Sequence, residues 1–217
     1  MAKGYGPLSL NEILFFFTRA TVGAGAPFGV GEDVAKAAVF LAECGFDPGP
    51  IISSALQNLD KDVSKSTFSF HTSDREAEIG SQDEGQVSAI FAGPAALDWL
   101  ESKEPGQDIR LKIQHLDSPF LIAAMCTEWM VTVIDQAGVE KPLSTTNPPL
   151  DQHRPFDVMI TNGKSGFSHE RNGVLEYGVL IDQDAWVNIH AFFHRCLVPS
   201  TAESRIAGAG AGLVDTD

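Results

Sequence analysis

Two histidines on one predicted helix are the first residues of this sequence whose spacing suits a chemical role. His190 and His194 stand four residues apart in the segment HAFFHR, so helical periodicity places both rings on one face. Imidazole nitrogens at this spacing can ligate zinc or another divalent ion. The other interpretation is packing, because the two rings continue a stripe that begins at Trp186 and Val187. We favour packing, since Ala191 stands where metalloproteases of the HExxH type carry their glutamate.

The C-terminal end holds a second set of candidate residues. Residues 208–217 read GAGAGLVDTD, and Gly208 is explained as the end of a short helix. Gly210 and Gly212 have no such explanation, and Asp215 is a carboxylate suited to a hard cation. A nucleotide-binding loop is excluded, because it would follow a strand, precede a helix and have GxGxxG spacing. We predict an ordered segment packed within the protein or at a subunit interface, with ligand binding and disorder as the alternatives.

Arginines and one cysteine complete the candidates. Arg19 precedes VGAGAPFG and Arg205 precedes GAGAG, and a guanidinium beside a glycine-rich bend can hold a carboxylate or a phosphate. Ion pairs with some of the 29 acidic residues are the alternative role for both arginines. Cys126 would need an electropositive, partly exposed setting to act as a nucleophile, whereas its apolar neighbours predict a buried strand. Catalytic residues and cofactors therefore stay unassigned.

Composition excludes several classes of partner. The chain has 217 residues and a formal net charge of −14 without any basic run, which argues against nucleic acid and anionic membrane surfaces. The three cysteines are widely spaced, which is typical of free thiols in a reducing compartment. Asn11 and Glu12 interrupt the apolar N-terminal run, and no stretch approaches the ~20 apolar residues that cross a bilayer. We predict a soluble, cytoplasmic protein.

The N-terminal part of the chain predicts a layer of helices. Ser9 and Glu12 form a capping box, in which each side chain accepts a hydrogen bond from the other residue's backbone. Apolar residues then recur at helical spacing. They predict three helices, over residues 9–23, 32–45 and 50–59.

The middle of the chain predicts a change to sheet. Short β-like runs at residues 66–72 and 86–92 are separated by an acidic loop, and a helix is predicted over residues 93–103. Alternating apolar and polar residues at 109–116 predict a half-buried strand. The apolar run 120–135 is either a long strand, bent once, or a buried helix.

The remainder predicts a hairpin-rich end and a last helix. Asn162-Gly163 and Asn172-Gly173 are hairpin signals, which together predict an antiparallel meander. The last helix begins near Asp182. We therefore predict one α+β domain over residues 1–217, with an N-terminal helical layer, a mostly antiparallel sheet and a C-terminal helix packed on that sheet.

Both ends of the chain resemble a known family. The segments SLNEI and TRATVGAGAPFGVGEDVAKAAVFLAECGFD near the start, and VPSTAESRIAGAGAGLVDTD at the end, are similar to a bacterial family of about this length catalogued as domain of unknown function 3726. The middle of the chain resembles that family only in the general type of its residues, and it contains no specific motif of the family. The resemblance implies one bacterial cytoplasmic domain, and it implies no activity, cofactor or catalytic residue.

Two hypotheses about function follow from these residues. The first is a homo-oligomeric accessory or small-metabolite-binding protein whose C-terminal segment lies at an interface. The second is an enzyme acting on a small polar substrate through Arg205, the C-terminal glycines and aspartates, or a metal ion on His190 and His194. Convergence of several ionisable groups in one pocket would favour the enzyme. The sequence contains no complete triad, metal motif or nucleotide loop, so we favour the first hypothesis.

Overall fold

The structure, a computed structural model, describes residues 6–61, 66–82, 85–135, 137–145, 155–167 and 174–197. Its helices are α1 (Leu10–Gly23), α2 (Phe28–Glu43), α3 (Pro48–Lys61), α4 (Ala89–Glu101), α5 (Pro119–Met125), α6 (Val174–Tyr177) and α7 (Gln183–Cys196). Its strands are β1 (Ser69–Thr72), β2 (Glu76–Gly80), β3 (Arg110–Leu116), β4 (Met130–Ile134), β5 (Glu140–Pro142) and β6 (Phe156–Thr161). Helices come first and the sheet follows, which confirms the α+β class. Within the described ranges, every helix is too short or too polar to cross a membrane.

The predicted capping box at the start of α1 is confirmed. The Ser9 hydroxyl accepts a hydrogen bond from the Glu12 N–H at 3.3 Å, and the Glu12 carboxylate accepts one from the Ser9 N–H at 2.8 Å. α2 begins at Phe28, earlier than predicted, because Pro27 stands in extended conformation at its N-cap and directs the next residues into helix. The three N-terminal helices pack on one another, and α2 also contacts α4 and α5.

The sheet is mixed, where a mostly antiparallel one was predicted. Its strand order is β1-β2-β3-β6-β4-β5, with β2 and β3 parallel and the other four neighbouring pairs antiparallel. Parallel neighbours need a crossover connection, and α4 provides it. The sequence prediction missed this unit because β2 lies in the acidic segment taken as a loop, and α4 begins in the segment 86–92 taken as a strand.

β6 lies in the centre of the sheet, and the predicted meander is wrong. This strand pairs with β3 on one side and with β4 on the other, so its partners come from earlier in the chain. Asn162 does not open a hairpin; its side-chain oxygen accepts a hydrogen bond from the Ile109 N–H at 2.7 Å. α6 (Val174–Tyr177) occupies part of the segment predicted as a meander, while Asn172-Gly173 lies outside the described residues. The run 120–135 divides into α5 and β4, so each alternative holds for part of it.

The two faces of the sheet differ in polarity. One face is buried against the helical side and is formed by aliphatic residues at every second position: Ala77, Ile79, Leu111, Ile113, Val131, Val133, Val158 and Ile160. The other face carries polar and charged side chains, and most of them are partly or fully exposed. α7 makes its main contacts with α1 and α3, where the sequence predicted packing on the sheet. The amphipathic pattern of α7 predicts which side of this helix is buried, but it does not predict which element that side packs against.

Candidate functional site

The two histidines considered as metal ligands do lie together on α7. The ring centroids of His190 and His194 are 4.4 Å apart, with the rings nearly perpendicular. His190 also stacks on Phe193 at 5.7 Å and contacts the rings of Phe16 and Trp186. Partial burial, and secondly the charge of His194, lower the pKa of His190, which favours the neutral ring. This environment explains His190 as a packing residue and also keeps it in the protonation state of a metal ligand.

Among the described residues, the two histidines have no third side chain that could complete a metal site. No group of three or more His, Cys, Asp or Glu side chains suited to a metal ion occurs in that part of the chain. Three residues could have served as the third ligand. Of these, Asp184 is exposed at the start of α7, and His169 and Glu170 lie outside the described ranges. A metal site on His190 and His194 therefore stays a prediction.

Arg19 is held by its own helix. Its guanidinium lies 3.8 Å from the centre of the Phe15 ring and donates a hydrogen bond to the Phe15 carbonyl oxygen at 3.4 Å. This cation–π contact keeps the head group at the surface of α1. The anchor role predicted for Arg19 stays a prediction. The other predicted ligand residues, Arg205, Gly210, Gly212 and Asp215, lie outside the described residues.

Cys126 does not have the environment of a nucleophile. The residue is fully buried at the end of α5, and burial raises the pKa of its thiol to about 12, with a further contribution from Glu101. Burial likewise raises the pKa of Cys44 to about 11. A thiol with such a pKa is protonated at neutral pH and reacts slowly. The predicted burial of Cys126 is confirmed, although in a helix end rather than a strand.

We expect a thiol reagent to discriminate among the three cysteines of the native protein. Cys196 is partly exposed at the end of α7, so it should be alkylated first, while Cys44 and Cys126 should react only after denaturation. Iodoacetamide labelling followed by mass spectrometry of the intact protein and its peptides measures the order. The Cys196→Ser variant should then take up no label in its native state. Native labelling of Cys126 as fast as Cys196 would contradict the burial.

The open face of the sheet brings together charged residues that the sequence analysis did not single out. Register partners in adjacent strands point their side chains to the same face. His71, Glu78, Lys112 and Met159 are such partners across β1, β2, β3 and β6, and Glu76 is the partner of Arg110 in the adjacent row. We call the concave surface along these rows the sheet-face groove. It measures about 400 Å³ and is lined by His71, Thr72, Ser73, Glu76, Ala77, Glu78, Arg110, Lys112 and Met159.

The charges in the sheet-face groove are only partly neutralised by neighbours. Lys112 pairs with Asp157 at 3.5 Å, and the Gln114 amide donates to the Glu78 carboxylate at 2.6 Å. Arg110 and Glu76 are register partners, yet among the described residues no ion pair joins the guanidinium of Arg110 to any carboxylate. The groove therefore presents a guanidinium, with its planar set of donors, to solvent.

Two local hydrogen-bonded features fix the backbone of the strands that carry the sheet-face groove. The Ser73 hydroxyl accepts a hydrogen bond from the Glu76 N–H at 3.0 Å, which holds the tight turn between β1 and β2. Further along the sheet β3 contains a bulge, where His115 adopts a positive φ of 49°. The His115 N–H donates to Asp157 at 3.0 Å, so the residue that pairs with Lys112 also holds the bulge. These hydrogen bonds therefore hold the backbone of the strands that carry the charged residues.

One sequence signal could have revealed part of this groove. Glu76 and Glu78 alternate with the buried Ala77 and Ile79, which is the pattern of a half-buried strand. The acidic character of the surrounding segment concealed that pattern. No signal in the spacing shows that β2 lies beside β3, because the two strands are separated by a helix in the chain.

Comparison with known proteins gives a family match over part of the chain and no activity. No curated protein matches the chain. The structure is similar to a malate dehydrogenase from Entamoeba histolytica, with a TM-score of 0.44 and 8% identity over 58% of this chain and 38% of that one. A malate dehydrogenase from Pyrococcus horikoshii OT3 has a TM-score of 0.42 and 14% identity over 88% of this chain and 67% of that one. These scores are too low to transfer fold or chemistry.

The family match covers the N-terminal helices and the first two strands. The C-terminal segment that also carried the resemblance lies beyond it. Residues 8–82 match the family described as "Protein of unknown function (DUF3726)", which confirms the resemblance over that part of the chain.

Proposed function

We propose that the protein binds a small polar metabolite in the sheet-face groove. The observation that supports this function is the convergence of Glu76, Glu78, Arg110 and Lys112 on one concave surface of about 400 Å³. A volume of this size suits a small molecule. The chain carries 29 acidic and 15 basic side chains, so two adjacent cations on one strand are a distinctive local feature. Such cations attract carboxylates and phosphates.

The alternative explanation of these charges is a ladder of cross-strand pairs that stabilises the sheet. Opposite charges on neighbouring strands contribute about 0.2–1 kcal/mol per pair when they interact directly. In this sheet the register partners Glu76 and Arg110 form no ion pair. A stabilising ladder would use that contact, whereas a ligand site leaves the guanidinium available. The groove therefore favours binding over a purely stabilising role.

The proposal is tested with the full-length protein and a panel of small molecules. The panel contains monocarboxylates, dicarboxylates, amines, amino acids, sugars and inorganic phosphate, ranked by thermal shift and then by calorimetry. For any compound that binds, Arg110→Gln or Glu78→Gln should weaken binding about tenfold or more, because each removes a charge-assisted hydrogen bond. Lys36→Gln is the matched control, since Lys36 lies on α2 and pairs only at the surface with Asp33.

Two results would refute the proposal. The first is a panel in which no compound stabilises the protein or gives a calorimetric signal. The second is a compound that binds the Arg110→Gln and Glu78→Gln variants as tightly as it binds the unmodified protein. In that second case the binding site lies outside the sheet-face groove.

An enzyme acting on a small polar substrate is the second candidate function. The same convergence of ionisable groups in one groove favours it. We place binding first because the charged side chains of the groove are mostly exposed, whereas catalytic groups act in sites from which water is excluded. Mass spectrometry of each bound compound after incubation tests for turnover, and a product that disappears in Arg110→Gln would favour the enzyme.

Self-association and a cytoplasmic location stay predictions. Several large apolar side chains are exposed, among them Phe15 of α1, Tyr177 of α6 and Val187 of α7, and such side chains can contact a second copy. The molar mass from light scattering measures self-association directly.

A further inference from the structure

The charges of the sheet-face groove are sorted by strand. β3 contributes the cations Arg110 and Lys112, and the neighbouring β2 contributes the anions Glu76 and Glu78. Residues two apart on a strand are separated by roughly 6.5–7 Å, and neighbouring strands by roughly 4.8 Å. A column of two positive charges therefore runs beside a column of two negative charges. We name these the cationic column and the anionic column.

The two columns do not neutralise each other. Arg110 and Glu76 form no ion pair within the described part of the chain. Lys112 is paired with Asp157 of β6, on the side away from the anionic column. Both carboxylates and the guanidinium therefore keep donors and acceptors for a molecule in the groove.

A ligand with charge of one sign would meet repulsion in this groove. A dianion would contact Arg110 and Lys112 but would also lie within about 5 Å of the carboxylates on the neighbouring strand. A diamine would have the opposite problem with the cationic column. A molecule that carries an ammonium and a carboxylate a few ångströms apart satisfies both columns at once.

We propose that the ligand of the sheet-face groove is a free α-amino acid or a similarly small amino carboxylate. Its carboxylate is held by Arg110, and its ammonium lies between Glu76 and Glu78. This inference rests on the proposed function and names the ligand class for the same groove. A guanidinium suits the carboxylate because it donates two parallel hydrogen bonds.

Met159 indicates where the side chain of the bound amino acid lies in the groove. It is the register partner of Lys112 and lines the groove with its thioether side chain. Methionine adapts its shape to apolar groups of different outline. The side chain of the amino acid should therefore lie toward β6, and an aliphatic side chain should suit this contact. We use L-leucine as the probe for this reason.

The test compares L-leucine with two molecules that each lack one of its charges. Isocaproate lacks the ammonium, isoamylamine lacks the carboxylate, and neither adds bulk. By calorimetry on the full-length protein, each should bind about tenfold or more weakly than L-leucine. The difference in affinity between L-leucine and isocaproate should largely disappear in the double variant Glu76→Gln and Glu78→Gln. The difference in affinity between L-leucine and isoamylamine should disappear in the Arg110→Gln variant.

This crossed pattern separates a failure of the inference from a failure of the proposed function. If isocaproate or succinate binds as tightly as L-leucine while Arg110→Gln abolishes that binding, the groove takes anions and the amino acid inference is overturned. If neither L-leucine nor any other amino acid binds but a different class of compound in the larger panel does, the inference is again overturned and the proposed function stands. If Arg110→Gln instead changes the molar mass in light scattering, the groove is a subunit contact and both proposals fail.

Discussion

Replacing Gly23 with alanine is expected to destabilise the protein by about 3 kcal/mol. Gly23 is the last residue of α1, where this helix crosses α7. A Cβ atom at this position would overlap the carbonyl oxygen of Phe192 and approach its carbonyl carbon to 2.8 Å. Main-chain atoms of a helix cannot rotate away, so α7 would have to shift. A loss of this size changes the unfolding equilibrium constant by about a hundredfold.

Gly29 provides the matched control for this change. It lies in the first turns of α2, and among the described residues no atom from outside its own turn of helix lies within 4 Å of the Cβ that alanine would add there. Alanine is the better helix former by up to about 1 kcal/mol, so Gly29→Ala should leave stability unchanged or raise it. Urea denaturation followed by circular dichroism measures both variants. If Gly23→Ala unfolds at the same urea concentration as the unmodified protein, α1 and α7 are not in the close contact described.

Replacing Asp117 with alanine is the second change with a large expected effect, about 2–3 kcal/mol of destabilisation. Asp117 is 1% exposed and follows β3 directly, and its carboxylate accepts a hydrogen bond from the Ala89 N–H at 2.8 Å. Ser88 is the N-cap of α4 but its side chain makes no capping hydrogen bond. Asp117 therefore caps α4 from another part of the chain. Alanine would leave a buried N–H of the first turn without that acceptor.

Two further variants show whether the lost hydrogen bond is the cause. Asp117→Asn keeps a side-chain oxygen, so it should cost less than Asp117→Ala. Asp98→Ala removes a carboxylate from an exposed position of α4 and should change stability by less than about 0.5 kcal/mol. The free energies of unfolding come from the same urea titrations. Equal losses in Asp117→Ala and Asp98→Ala would show that Asp117 does not support α4.

Local patterns in the sequence were sufficient for several elements. The capping box at Ser9 and Glu12 and the helical spacing after it predicted α1, because both signals lie within a few turns of the chain. The alternation at residues 109–116 predicted β3 for the same reason. The α+β class followed from the order of these elements. These successes share one cause, namely that the interactions involved are between near neighbours in the chain.

The sheet-face groove could not be predicted in this way. Glu76 and Arg110 become neighbours only when β2 and β3 pair in parallel, and that pairing depends on the packing of α4. The cap that Asp117 provides to α4 likewise joins residues 28 positions apart. Spacing patterns carry no information about such pairings. Sequence reasoning therefore turned to motifs of adjacent residues, such as His190 with His194, and overlooked charges gathered from separate strands.

The central place of β6 has a consequence for how the chain folds during synthesis. β3 and β4 are both made before residues 156–161, and each has one edge that pairs with β6. Until that strand leaves the ribosome, the nascent chain holds two partial sheets with open edges, which are templates for wrong pairing with other chains. Joining them closes long loops, a slow step in folding. The moment at which residues 156–161 emerge therefore decides when these two edges become protected.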